Sequence, residues 1–198
     1  MPDRLRLPLS FDPALLRRDL EVLTAAEWTP HFVRQNYQGD WGVIPLRSPA
    51  GARHPIQMIY SDPGATDFVD TPNLERCPGF QRAIAAFRCE IRSVRLMRLT
   101  PGSTIKEHRD FDLDVDHGVI RIHVPIVTNP GVMFEVNRIP VRMAPGEAWY
   151  LRLSDPHRVA NGGAADRVHL VLDVVVNGWM TQLLEQACAL QGSAPQPA

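Results

Sequence analysis

From Ile91 onward the chain falls into short hydrophobic runs, SVRLMRL, VIRIHVPI, VMFEV, AWYLRL and RVHLVLDVVV, separated by PGS, NPG, APG and NGG. Several runs alternate with period two and are rich in β-branched residues, the pattern of strands with one face in a core. The separators are turn chemistry. Upstream, Trp41 to Leu46 and Ile56 to Tyr60 read as two further strands, parted by Ser48-Pro49-Ala50-Gly51. Two helices are expected before the β-rich region. Asp12-Pro13 supplies an N-cap and first helical residue for Ala14 to Trp28, with Leu16, Leu20 and Leu23 on one face; Pro78 to Phe87 forms the second. A last helix, Trp179 to Leu190, precedes GSAPQPA.

The expected fold is mainly β with flanking helices, a sandwich or double-sheet jelly roll. The expected organisation is a single domain over 1–190. A helical and strand N-terminal part covers 1–90, a jelly-roll core 91–176 and a closing helix 177–190, with a disordered tail at 191–198.

Composition narrows the class. The 198 residues are 44% hydrophobic, enough for a sizeable core and too many for a disordered chain. The 21 basic and 22 acidic residues nearly cancel, which argues against a nucleic-acid or polybasic membrane partner. Every basic residue except Lys106 is Arg, so the question becomes which arginines hold a forked anion. Cys77, Cys89 and Cys188 are odd in number and outside any CxxC pattern, as expected in a reducing compartment. The N-terminus lacks a signal-peptide core, and the longest apolar run, Val168 to Val176, is broken by His169 and Asp173. A cytoplasmic location is expected, with no membrane partner.

The chemistry centres on His108 and Asp110, which follow a strand and the turn Pro101-Gly102-Ser103. In extended backbone, residues two apart point to the same side. His157, at the end of AWYLRL, is the best third ligand. Two His and one carboxylate form a facial triad with open positions, the set of non-haem Fe(II) oxygenases, whereas structural zinc closes all four positions. Alone, HxD is weak and reads most simply as a surface His beside an Asp. Context shifts the balance. Arg167 heads a strand ten residues after His157, and Arg121 alternates with His123 inside an otherwise apolar run. Inward arginines without an anion are costly, and a planar guanidinium suits a carboxylate.

Other residues invite competing readings. Asp110, Asp112, Asp114 and Asp116 alternate, but no register places Gly sixth and Glu twelfth, so a calcium loop fails. Asp112, Asp114 and Asp116 read instead as a solvated edge or lip, with His117 exposed in it. His31 and His54 read as surface residues, Cys89 and Cys188 as small buried hydrophobes, and Asn161 as first of all part of a turn, with a hydrogen bond near the metal as the alternative. His169 reads equally as a core His or as a partner of Arg167. Trp41 reads as core before substrate wall. Arg34, Arg109 and Arg121 are the forks available to a substrate carboxylate.

HRDFDLD, RIHVPI and GEAWYLRLSDPHRVANGGAADRVHLVLDV together resemble the aspartyl/asparaginyl β-hydroxylase family. The closest likeness is to its bacterial free-amino-acid members of the proline cis-hydroxylase type. It covers roughly Arg95 to Val176 and extends to Gly39-Asp40-Trp41. The resemblance implies a double-stranded β-helix and an Fe(II)- and 2-oxoglutarate-dependent dioxygenase using O2. It implies His108, Asp110 and His157 as iron ligands and Arg167 as the grip on the distal 2-oxoglutarate carboxylate. Arg121, His123, Met97 and Leu99 would line the co-substrate and substrate pocket, with Trp41 on the substrate side. The activity implied is hydroxylation of an unactivated C–H of an amino acid or amino-acid-like small molecule, releasing succinate and CO2. A peptidyl Asp/Asn β-hydroxylase and a non-catalytic anion-binding jelly roll are the alternatives. Vertebrate aspartyl hydroxylases lack the carboxylate ligand, whereas Asp110 is present here. The proline hydroxylases also continue into a helical region, where this chain stops after one helix.

Overall fold

Alternation along three central strands decides what the molecule does with its polar residues. In a computed structural model that describes residues 1–23, 28–60, 62 and 64–192, the chain opens with β1 (Arg4–Ser10), α1 (Pro13–Leu23), β2 (Thr29–Pro30), β3 (Tyr37–Gln38) and β4 (Trp41–Pro49). Next come α2 (Pro55–Ile59), β5 (Phe68–Asp70), α3 (Pro72–Glu75), α4 (Pro78–Ala85), β6 (Ile91–Leu99) and β7 (Thr104–His108). The rest is β8 (Val119–Val127), β9 (Val132–Val136), β10 (Ile139–Pro140), β11 (Glu147–Leu151), β12 (His157–Asn161), β13 (Arg167–Val175) and α5 (Gly178–Gly192).

The large sheet runs β1-β11-β8-β13-β6-β4-β2, with β5 also on β4, and the small sheet runs β10-β9-β12-β7-β3. Even-numbered residues of the central strands, such as Leu96, Ile122 and Leu170, join Leu16, Phe80 and Leu184 of the helices in one core. Among the odd-numbered ones, Met97, Leu99 and Val171 join Ile105, Phe134 and Val159 of the small sheet in a second core. Arg95, Arg121, His123, Arg167, His169 and Asp173 share that odd parity, and all are buried. Period-two geometry therefore delivers six polar side chains to the inter-sheet space. The jelly roll expected from the strand pattern is the fold observed.

Several sequence expectations need correction. Ile56 to Tyr60 is not a strand: His54 Nδ1 accepts from the Ile56 N–H and Pro55 holds the first helical position of α2. That start signal outweighs the β-branched residues around it. The N-terminal RLRLPLS forms β1, with Leu5 and Leu7 buried, paired to β11. The sheets are thus not confined to 91–176, since β1, β2 and β4 join the large one and β3 the small one. Helix α1 covers Pro13–Leu23, and Trp28 is not part of a helix, since Thr29 already pairs with Val43; residues 24–27 of the expected helix lie outside the described residues. Gln191 and Gly192 remain helical, and 193–198 of the expected tail lie outside the described residues.

Gly39 sets the start of β4. Its φ is +83°, and a Cβ would sit 2.2 Å from Ser103 Oγ. Asp40 N donates to that hydroxyl at 2.8 Å, and Trp41 then pairs with Leu99. Gly39→Ala imposes both a left-handed conformation and a clash. The expected cost is about 2–3 kcal/mol, read as a fall in thermal midpoint of roughly 5–10 °C. An unchanged midpoint would refute this reading of the turn.

Candidate active site

β7 and β12 are antiparallel neighbours, and His108 and His157 face each other as cross-strand partners. Asp110 follows β7 immediately, its N–H bonded to Leu153 O at 2.8 Å. One ligand atom from each of the three residues lies within 4.8 Å of the others. Nδ1 of His108 lies 2.8 Å from Lys106 O, and Nδ1 of His157 lies 3.0 Å from Asp155 O. A carbonyl only accepts, so each Nδ1 carries the proton and each Nε2 is left as a lone-pair donor. Burial, then the neighbouring His108, pulls His157 down to about 4, so it is neutral at neutral pH. Asp110 Oδ1 is 3.8 Å from His108 Nε2. This is the donor set expected for an octahedral Fe(II) with open positions.

The other oxygen of Asp110 is held by the protein. Arg121 Nη1 donates to Asp110 Oδ2 at 2.9 Å. The same guanidinium grips Asp173 with two further bonds, Nε to Oδ1 at 2.6 Å and Nη2 to Oδ2 at 3.0 Å. Arg95 pairs with Asp173 from another strand, and Ser93 Oγ donates to it at 3.0 Å. Arg95 also donates to Ile59 O at 2.9 Å and Ser93 Oγ at 2.7 Å. Burial alone would raise the Asp173 carboxyl, but Arg121 and Arg95 outweigh it and hold it below the usual carboxylate range. For Arg121, burial opposes the charge, and Asp173 and Asp110 more than restore it. The anion demanded by an inward Arg121 is therefore a side chain of the same sheet.

Two cavities meet at this centre. An inner one of about 40 Å³ runs past His108, His157, Met97, His123 and Phe134 to Arg167. An outer one of about 460 Å³ opens from His108, Asp110 and Arg121 toward the surface. Trp41 and Met97 line both. Arg167 is 2% exposed, and no ion pair is found for it among the described residues. Burial lowers its pKa to about 9. Its Nη2 lies 2.8 Å from His169 Nδ1. A guanidinium only donates, so His169 accepts on Nδ1 and carries its proton on Nε2. Burial, then Arg167, keeps His123 and His169 neutral. Arg167 Nε, both ring nitrogens of His123 and Trp41 Nε1 have no hydrogen-bond partner among the described residues. Buried polar atoms left unpaired are costly, so their concentration around one small cavity marks a polar ligand's place.

Not every sequence candidate reaches the site. Arg109 donates to Ser154 O at 3.0 Å, and Arg34 lies over the Tyr37 ring, with neither lining a cavity. Leu99 packs between the sheets and lines neither. His31, expected at the surface, stacks on Trp41 with centroids 3.5 Å apart. Asp114 is buried rather than solvated because it accepts from the His117 N–H and ring, while His117 is exposed as expected. Cys89 and Cys188 are half-buried. The residues sequence reasoning missed are Asp173 and Arg95. The available signal was parity, since Asp173 is six positions from Arg167 on a strand and so shares its face.

Breaking the network has a pH signature. Asp173 is held below its ordinary value of 3.8, so its contribution is complete above that pH and is lost as pH falls below it. Asp173→Asn leaves two buried arginines short of an anion, at a cost of about 3–5 kcal/mol at pH 7. Thermal melts should show a large loss at pH 7 and a smaller one at pH 3. A loss independent of pH would contradict the assignment.

Comparison with known proteins agrees with this geometry. A family model of aspartyl/asparaginyl beta-hydroxylases matches residues 13–176. An L-proline cis-4-hydroxylase of Rhizobium meliloti (strain 1021) is 27% identical over 167 residues, which are 83% of this chain. The chain spans only 58% of that relative's length. A Burkholderia pseudomallei oxidoreductase of the 2OG-Fe(II) oxygenase family superposes with TM-score 0.54 at 21% identity, over 87% of this chain and 85% of that one. A Pseudomonas putida prolyl-4-hydroxylase gives TM-score 0.56 at 14% identity, over 89% and 94%. At those identities the likeness is one of fold. The family model covers most of the length, and this chain belongs to the aspartyl/asparaginyl β-hydroxylase family.

Proposed function

We propose that this protein is an Fe(II)- and 2-oxoglutarate-dependent dioxygenase that hydroxylates an unactivated C–H of an amino acid or amino-acid-like small molecule. The observation that carries the reading is a buried guanidinium, Arg167, at the far end of a cavity whose near end is a His-Asp-His donor set. A cation with no carboxylate partner among the described residues at one end and a facial triad at the other match a molecule with a chelating end and a distal carboxylate. The relative named as an L-proline cis-4-hydroxylase supports an amino-acid substrate.

In this role His108, Asp110 and His157 hold iron, which when bound supplies the O2-dependent oxidation of 2-oxoglutarate to succinate and CO2 that is coupled to hydroxylation. The remaining work belongs to the chain. Lys106 O and Asp155 O fix the two imidazole tautomers. Arg121 fixes which oxygen of Asp110 faces the metal. Arg167, steadied by His169, anchors the distal carboxylate, with His123 and Met97 forming the cavity wall. Trp41 borders both the co-substrate chamber and the substrate chamber. No helix among the described residues is long and apolar enough to cross a membrane. The odd, free cysteines suit a reducing, cytoplasmic location, where Fe(II) is also kept reduced.

The purified protein should bind Fe(II) and 2-oxoglutarate, and should form succinate in air at a rate raised by one member of an amino-acid panel. His108→Ala should abolish both metal binding and turnover. A protein that binds neither iron nor 2-oxoglutarate sinks the proposal, and one that binds 2-oxoglutarate equally without metal is an anion-binding module. The His169 contact is worth one charge-assisted bond, so His169→Leu should weaken 2-oxoglutarate about tenfold by calorimetry. His169→Gln, which keeps an acceptor, should recover most of that affinity. Equal binding by all three proteins would remove His169 from the account.

A further inference from the structure

A buried amide closes the strand that the ligand His157 opens. His157 is the first residue of β12 and Asn161 the last, and period-two geometry turns both inward. Asn161 is 1% exposed, lines neither cavity and bonds to no metal ligand. Its side chain is satisfied on every side. Nδ2 donates to Leu99 O and to Ala165 O, both at 2.9 Å. Oδ1 accepts from Asn129 Nδ2 at 3.1 Å and from the Gly163 N–H at 3.2 Å. That uses both hydrogens of the amide and both lone pairs of its oxygen. The main chain is held too, with Asn161 N donating to Ser103 O at 3.0 Å and Gly102 N donating to Asn161 O at 2.8 Å.

These bonds converge on the backbone that carries Arg167. Leu99 is the cross-strand partner of Arg167 on one side and of Trp41 on the other. The three residues form a row across β4, β6 and β13, and the Asn161 amide grips the carbonyl at its middle. Ala165 O, its second acceptor, lies two residues before Arg167 in the turn that enters β13. Asn129 Nδ2 holds the same carbonyl at 2.8 Å. The turns around this amide leave no slack: a Cβ at Gly163 would sit 1.8 Å from Asn129 Oδ1, and one at Gly131 would sit 2.5 Å from Gly163 N. Leu99 belongs to the large sheet and Asn161 to the small one, so the bond between them also ties the sheets together beside Arg167. The Arg167 side chain has less to hold it, since among the described residues its hydrogen-bonding side-chain partner is His169 and its Nε has none. Where its guanidinium stands is therefore set largely by its backbone.

We infer that Asn161 is a positioning residue: by locking the start of β13 it sets how far Arg167 stands from the metal ligands, and so the chain length of the 2-oxo dicarboxylate that fits between them. This rests on the oxygenase reading, in which Arg167 takes the distal carboxylate. Length selectivity separates the role from a purely structural one. An amide that only stabilises the turn affects short and long acids alike, whereas one that fixes the anchor is needed to tell them apart.

Calorimetry on the Mn(II)-loaded protein measures this with 2-oxoglutarate, the one-carbon-shorter oxaloacetate and the one-carbon-longer 2-oxoadipate. The intact protein should prefer 2-oxoglutarate at least about tenfold over both homologues. Asn161→Ala removes the side-chain donor on Leu99 O and one of the two on Ala165 O. It should weaken 2-oxoglutarate about tenfold and bring the three acids within about threefold of one another. Mn(II) affinity should change by no more than about twofold, because the ligands sit at the other end of β12. Asn129→Ala keeps the Asn161 bond to Leu99 O, so it should narrow the preference by an intermediate factor, and it decides the matter if Asn161→Ala does not fold. Leu184→Ala, in the core between large sheet and helices, should lower the thermal midpoint with the preference intact. Asparagine variants that keep the full preference would overturn the inference. So would loss of Mn(II) binding in step with 2-oxoglutarate, or an intact protein that binds all three acids equally. An intact protein that takes up no 2-oxoglutarate would instead sink the oxygenase reading itself.

Discussion

One buried carboxylate organises the centre of this molecule. Asp173 lies between Arg95 and Arg121 in an interior that would otherwise reject all three charges. Taking a guanidinium out of water costs several kcal/mol unless an anion meets it with good geometry. Asp173 meets two. Because Arg121 is pinned from behind, its remaining Nη1 is aimed at Asp110 and at nothing mobile. The pose of the Asp110 carboxylate is thus set three side chains deep, and loosening any member loosens that carboxylate.

The same strands supply the second cation and treat it differently. Arg167 is more deeply buried than Arg121, yet its hydrogen-bonding side-chain partner is the neutral His169. One arginine is neutralised internally; the other has no ion pair among the described residues, and the proposed function assigns it the co-substrate's distal carboxylate. The neutralised network of Arg95, Arg121 and Asp173 borders the outer cavity, and Arg167 stands at the far end of the inner one. Trp41 stands where the two cavities join, placed there by the Gly39 turn and the pairing of β4 with β6.

Much of this was legible in the sequence because it is periodic. The turn-separated strands of 91–176 and the HxD spacing report directly on sheet and ligand positions. Arg121 and Arg167 were marked by standing inside apolar runs. What parity alone did not disclose was pairing. Asp173 and Arg95 carry the same face assignment as the arginines they touch, but contact between β6, β13 and β8 depends on strand order, which no local pattern encodes. Local signals also competed at Pro55, where a helix start overrode a strand-like run. His31 was misplaced because its partner, Trp41, reaches it through a two-residue strand pairing, β2 with β4, too short to leave a pattern.

The division of labour between the two arginines is the central claim, and an anaerobic crystal structure with Fe(II) and 2-oxoglutarate tests it most directly. The account predicts metal among His108 Nε2, Asp110 Oδ1 and His157 Nε2, the distal carboxylate on Arg167, and Arg121 still bound to Asp110 and Asp173. A distal carboxylate seated on Arg121, with Asp173 displaced, would contradict it.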